Sequence, residues 1–117
     1  MERNMPQLPV ACCDGEDWCA VTCTASVLGN KWHAIVVHQL LANGPLGFTA
    51  LRRQIAGISE KMLVTSLRQL EDEGIVERHD AAGRDRRVEY ALTPAGEALR
   101  PVLDAMVAWG RAHRVTS

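Results

Sequence analysis

The chain has 117 residues, with 13 Lys and Arg against 14 Asp and Glu for a formal net charge of −1. That length holds one domain with little room for a second, and 47% hydrophobic residues exclude disorder along the whole chain. The overall charge makes no case for nucleic-acid binding, so any such case rests on where the charges sit. A membrane span is excluded, because His38 interrupts the longest apolar stretch, around Ile35 to Val37.

Residues 1–17 read as a flexible arm: Pro6, Pro9 and Gly15 interrupt it, Asp14, Glu16 and Asp17 make it acidic, and no apolar period runs through it. Met1 to Pro6 leads into no apolar core of a secretory signal, which points to the cytoplasm. Residues 18–117 read as one domain. A helix starts at Trp18, with Val21, Ala25 and Leu28 on one face, and Gly29-Asn30 ends it. A second runs from Lys31 to Ala42, with Trp32, Ile35, Val36 and Leu40 inward, and Asn43-Gly44-Pro45 stops it. A third, short helix fits Thr49 to Ile55 with Thr49 as N-cap, and Gly57 breaks it. Ser59 caps a fourth, Glu60 suits its first turn, and Leu63, Leu67 and Leu70 give its apolar stripe up to Glu73-Gly74.

The period then changes. Ile75 to Arg78 is extended, Ala81-Ala82-Gly83 is turn-like, and Val88, Tyr90 and Leu92 alternate with Glu89 and Ala91. This predicts a two-stranded hairpin with a basic tip, Arg84-Asp85-Arg86-Arg87. Thr93-Pro94 opens a last helix carrying Leu99, Val102, Leu103, Met106 and Gly110, with Trp109 nearby; Pro101 either kinks it or marks its true start. The predicted class is mainly α with a small β-hairpin wing (α+β). Two helices across a tight turn, followed by a hairpin, describe a winged helix-turn-helix.

On a wheel of 100° per residue, Leu63, Leu67 and Leu70 share one side of the fourth helix. Lys61, Thr65 and Arg68 lie opposite, with Ser66 and Gln69 flanking. An apolar inner face and a donor-rich outer face suit a helix entering the major groove, where Arg and Lys donate to guanine and Thr meets a base edge or a thymine methyl. Lys61, Thr65, Ser66 and Arg68 are the candidate base readers, with Ser59 at the helix start. Asp72, one turn beyond Arg68, opposes phosphate unless it lies past the DNA edge. Arg52 and Arg53 before the turn, and Arg84, Arg86 and Arg87 at the wing, are candidates for phosphates or the minor groove. Charged outer faces and Arg-rich turns are also ordinary solvated features; three basic spots in this element order favour double-stranded DNA as partner.

The segment from Cys19 to Lys31-Trp32 resembles the HxlR family of bacterial winged-helix transcriptional regulators. So do Phe48-Thr49-Ala50-Leu51-Arg52, Ile58-Ser59-Glu60-Lys61-Met62-Leu63, Leu67-Arg68-Gln69-Leu70-Glu71 and Gly74-Ile75-Val76. Val88 to Thr93 with Gly96, and then Trp109-Gly110, complete a resemblance over about residues 19–113. It implies a homodimer joined through the first and last helices, an inverted-repeat operator, and a cysteine at Cys19 that senses electrophiles or oxidants. Asn30, Gly47, Ala50 and Val64-Thr65-Ser66 depart from the family pattern, so no operator sequence follows. A dimer also follows from the apolar stripes of the first and last helices, which a domain this small cannot cover alone; Val21, Leu28, Leu99, Leu103, Met106 and Trp109 are the expected interface.

All four cysteines, Cys12, Cys13, Cys19 and Cys23, lie in the first fifth of the chain. Cys19 and Cys23 stand one helical turn apart, with Cα atoms roughly 6 Å from each other, within disulfide reach although helical side-chain directions disfavour that bridge. A helix N-terminus makes Cys19 reactive, while Glu16 and Asp17 oppose this. The bland alternative is a pair of small buried apolar residues. Four thiolates for zinc or an iron–sulfur cluster, in a metal-binding regulator or adaptor, is the competing reading, although adjacent cysteines followed by wider gaps match no CxxC pair. His33 and His38 do not share a helix face, and His79 and His113 read as solvated or capping groups. No phosphate loop, HExxH or GxSxG is present, so neither an enzyme nor a cofactor is expected.

Overall fold

The computed structural model describes residues 16–80 and 88–114. The elements in chain order are α1 (Asp17–Val27), α2 (Lys31–Asn43), β1 (Leu46–Gly47), α3 (Phe48–Gln54), α4 (Glu60–Asp72), β2 (Val76–Asp80), β3 (Val88–Leu92), α5 (Pro94–Glu97) and α6 (Arg100–His113). No helix among the described residues is long and apolar enough to cross a membrane. The winged helix-turn-helix order predicted from the sequence is the observed one.

Local chemistry explains most boundaries. Asn30, expected only to end α1, caps α2: its side chain accepts from the backbone N–H groups of Trp32 at 2.9 Å and His33 at 3.1 Å. The inner face of α2 is formed by His33, Val36, Val37 and Leu40, while the predicted Trp32 and Ile35 are only half-buried. Thr49 is not the cap of α3; the helix starts at Phe48, with Gly47 as cap and no side-chain bond there. Pairing of Leu46 with Tyr90 and of Gly47 with Glu89 claims the preceding residues as a short strand. The sheet therefore has three strands in the order β1-β3-β2, where the sequence predicted two. In the antiparallel β2–β3 pair, Val76 faces Leu92 and Arg78 faces Tyr90.

The predicted last helix is two helices. Thr93 and Pro94 start α5, which stops after one turn, and Leu99 is the N-cap of α6. Pro101 lies in the first turn of α6, where its missing N–H would have had no partner, so it marks the helix start instead of kinking a longer one.

The core is the seam where Val36, Val37 and Leu40 of α2 meet Leu63, Leu67 and Leu70 of α4, closed by Leu51, Ile55, Ile58, Ile75, Val76 and Leu103. The end of α4 ties this seam to the wing. Gly74, at φ +77, lets its N–H reach the Glu71 carbonyl at 3.0 Å while the Ile75 N–H reaches Leu70 at 2.9 Å, the paired bonds of a Schellman turn. The Thr93 hydroxyl donates to the Gly74 carbonyl at 2.6 Å and accepts from the Gly96 N–H at 3.1 Å. Gly96 is buried there because a Cβ would run into the Ile75 carbonyl and the Leu92 side chain.

Gly96→Ala is expected to lower stability by about 1–3 kcal/mol, since the obstacle is backbone and cannot rotate away. Urea unfolding checks this; an unchanged midpoint would mean that α5 shifts without loss.

Candidate nucleic-acid interface

The helix-turn-helix is α3, the turn at Ile55–Ser59, and α4. The Arg52 backbone carbonyl accepts the Ile55 N–H at 3.2 Å, and Gly57, at φ +85, reverses the chain. Ile58 is buried under the turn and anchors it. Ser59 then caps α4, its oxygen accepting from the Met62 N–H at 3.0 Å. The hydroxyl proton is left to donate outward, so capping and a DNA contact at Ser59 are compatible.

On α4, Lys61, Val64, Thr65 and Arg68 face solvent. Ser66, expected among the base readers, does not. It is 0% exposed, with its hydroxyl 3.7 Å from the Met62 sulfur. Ser66 follows Leu63 by three positions, which turns it onto the same core face despite its polarity. Val64, not among the expected base readers, takes the outer position at 39% exposed, and its methyls suit contact with a thymine methyl. An apolar residue on an otherwise polar face was the available signal. Asp72 lies roughly 16 Å along the axis from Lys61, at the far end of the exposed face.

Arg52 and Arg53 are exposed at the end of α3 and, with Phe48, Thr49 and Glu60, line an open groove beside the start of α4. Arg52 and Glu60 form an exposed ion pair at 3.9 Å, too weak to count for stability. The predicted wing contacts Arg84, Arg86 and Arg87 lie outside the described residues.

Cys19 and Cys23 of α1 are both disulfide-bonded. Cys12 and Cys13 lie outside the described residues. Cys23 is half-buried and lines a small pocket with Thr24, Val27, Ile75, Ala95 and Leu99. The expected interface residues divide. Val21, Met106 and Trp109 are exposed, as is Trp18 at 69%. Leu28 and Leu99 are half-buried against their own core, and Leu103 is fully within it at 4% exposed. Leu103 is therefore corrected from interface to core, because it closes the α2–α4 seam from the α6 side.

Behind α4 sits a polar group that no motif announced. His33 is buried, with Nε2 2.8 Å from the Gln69 side-chain oxygen and Nδ1 3.3 Å from the Val27 carbonyl. Glu73, the C-cap of α4, has a buried carboxylate oxygen with no hydrogen-bond partner among the described residues. Burial raises its pKa above the ordinary value, the charge of His33 pulls it back, and neighbouring Asp72 pushes it up again.

Residues 27–117 match the family described as HxlR-like helix-turn-helix. The chain is 39% identical over 92 residues to the HTH-type transcriptional regulator YkvN of Bacillus subtilis, covering 79% of this chain and 77% of that protein. The structure of the redox regulator HypR in its oxidised form superposes with a TM-score of 0.75 at 36% identity, covering 84% of this chain and 100% of that one. Quinone-bound YodB from B. subtilis superposes with a TM-score of 0.66 at 35% identity, over 79% of this chain and 96% of that one.

Since the folded state raises the Glu73 pKa, its contribution to stability is present below the unfolded value and is lost as pH rises through the folded value. Glu73→Gln removes that loss. The variant is expected to be more stable than wild type at pH 7, with the gain gone below about pH 4. Thermal melts across this range check it; equal stability at pH 7 would contradict the assignment.

Proposed function

The chain belongs to the HxlR-like helix-turn-helix family of DNA-binding transcriptional regulators, and from that premise we propose that it works as a homodimer on an inverted-repeat operator and responds to oxidants or electrophiles through its cysteine thiols. The observation that carries the DNA reading is the exposed face of α4, where Lys61, Thr65 and Arg68 stand clear of the core beside Arg52 and Arg53. Lys61, Thr65 and Arg68 contact base edges, Val64 packs on a methyl, and Ser59 donates at the helix start. Arg52, Arg53 and the wing residues Arg84, Arg86 and Arg87 hold phosphates or the minor groove.

The dimer reading rests on exposed apolar surface. Trp109 is 57% and Met106 46% exposed, and with Pro101, Val102 and Ala105 they border an open groove along α6. With Trp18 and Val21 of α1 also exposed, a second copy related by a two-fold axis offers matching surface for this stripe. Two α4 helices then meet major grooves one helical turn apart, about 34 Å.

For the sensor, the disulfide state of Cys19 and Cys23 and the likeness to HypR and quinone-bound YodB support thiol chemistry in the N-terminal region. Cys19 is the proposed sensing thiol, with Cys12, Cys13 or Cys23 as partner. An oxidant takes two electrons and two protons from two thiols to form their disulfide, whereas a quinone adds to one thiolate. The proposed compartment is the cytoplasm, whose reducing poise lets such a bond report on oxidant load.

Titration of the DNA upstream of the protein's own gene, followed by fluorescence anisotropy in reduced and oxidised samples, tests the function. Tight binding that changes on oxidation, with the change abolished by Cys19→Ser, is expected. Binding indifferent to oxidation removes the sensor role, and no binding together with metal in the purified protein replaces it with a thiolate metal site. Arg68→Ala is expected to weaken operator binding by about 1–3 kcal/mol; unchanged affinity puts Arg68 outside the interface. Trp109→Glu is expected to convert the dimer to monomer in sedimentation velocity, and a dimer that survives it would place the interface elsewhere.

A further inference from the structure

Resting on the reading of α4 as the DNA-contacting helix, we propose that His33 is a positioning residue that bridges the last turn of α1 to α4 and sets the pose of Arg68. His33 sits in the first turn of α2, yet both ring nitrogens are directed at other helices. Nδ1 lies 3.3 Å from the carbonyl of Val27, the last residue of α1, and Nε2 lies 2.8 Å from the Gln69 side chain. Gln69 directly follows Arg68. Helix-end carbonyls such as that of Val27 have no partner within their own helix, so the ring supplies one.

The proton inventory makes this a two-ended hold. A backbone carbonyl only accepts, so Nδ1 carries a hydrogen. In the neutral ring Nε2 then accepts from the Gln69 amide with its NH2 turned inward; in the imidazolium Nε2–H donates to the Gln69 oxygen. Gln69 satisfies either form, because its amide can present an oxygen or an NH2. The charged groups near this bridge are Glu73, whose carboxyl feels the His33 charge, and Asp72 beyond it. A buried imidazole needs a partner for each ring nitrogen; here the two partners belong to α1 and α4, so satisfying the ring ties those helices to each other.

The bridge begins beside a sulfur. Cys23 precedes Val27 by one turn of α1, and the two line the same small pocket. A tilt of α1 around Cys23 moves the Val27 carbonyl, and the 3.3 Å contact has little slack to absorb it. The path runs Cys23, Val27, His33, Gln69, Arg68, entirely through one helical turn, two hydrogen bonds and one peptide unit.

Amide hydrogen exchange on the full chain, oxidised and thiol-reduced and without DNA, tests the bridge. In wild type, reduction is expected to change exchange over residues 66–72 of α4 several-fold. His33→Phe and Gln69→Leu are each expected to bring that difference to zero. Leu67→Ala, a core lesion in the same helix, is expected to speed exchange in both states and keep the difference. If His33→Phe does not fold, Gln69→Leu at its exposed position decides. No difference in wild type, or a difference that survives Gln69→Leu, overturns the proposal. Operator titration of the same samples is a separate readout, so lost DNA binding with the exchange coupling intact would overturn the DNA reading alone.

Discussion

The turn at the end of α4 is the constraint on which the other elements depend. Gly74 adopts a backbone conformation costly for other residues, and this places Ile75 at 1% exposed beneath the core with Leu70 beside it. The Ile75 carbonyl receives the Thr93 N–H at 2.9 Å, and the Thr93 hydroxyl binds the Gly74 carbonyl. One junction thus ends the recognition helix, starts the wing, returns the wing to the core and launches α5. Gly96 sits against it because nothing larger fits. A change here would alter the angle between α4 and the β2–β3 pair.

Electrostatics operate by placement instead of by total. The net charge is −1, yet Arg52, Arg53, Lys61 and Arg68 are all exposed on the helix-turn-helix. The carboxylates of Glu71, Asp72 and Glu73 gather at the C-terminal end of α4. There they sit unfavourably at the negative end of the helix dipole, and away from Arg52, Arg53 and Lys61 near its start. Glu73 carries the penalty of that arrangement as a carboxyl partly withdrawn from water.

The apolar surface has a different logic. Leu103 belongs to the domain's own core, while Met106 and Trp109, one and two turns later on α6, stand in solvent with Trp18 and Val21. A stripe that changes from buried to exposed along one helix is the form expected of an element shared between a domain and a second surface. His33 belongs to this arrangement, because it joins the end of α1, the helix that holds Cys19 and Cys23, to the back of α4.

The sequence by itself determined the order of α1 to α4 and the β2–β3 hairpin, the apolar stripe of α4, the turn glycines and the caps at Ser59 and Thr93. These are local, and spacing, capping and turn chemistry register directly in neighbouring residues. It also placed Lys61, Thr65 and Arg68 outward, because a helix wheel with three leucines leaves little freedom. What depends on distant residues was decided only in three dimensions. The strand at Leu46–Gly47 exists because β3 offers it an edge, although two residues have no strand period of their own. Ser66 was drawn inward because the core face of α4 is wider than its leucines, and polarity misled where geometry ruled. His33 was illegible for the same reason: its partners lie 6 and 36 residues away, and only packing of α2 between α1 and α4 brings them to one imidazole ring.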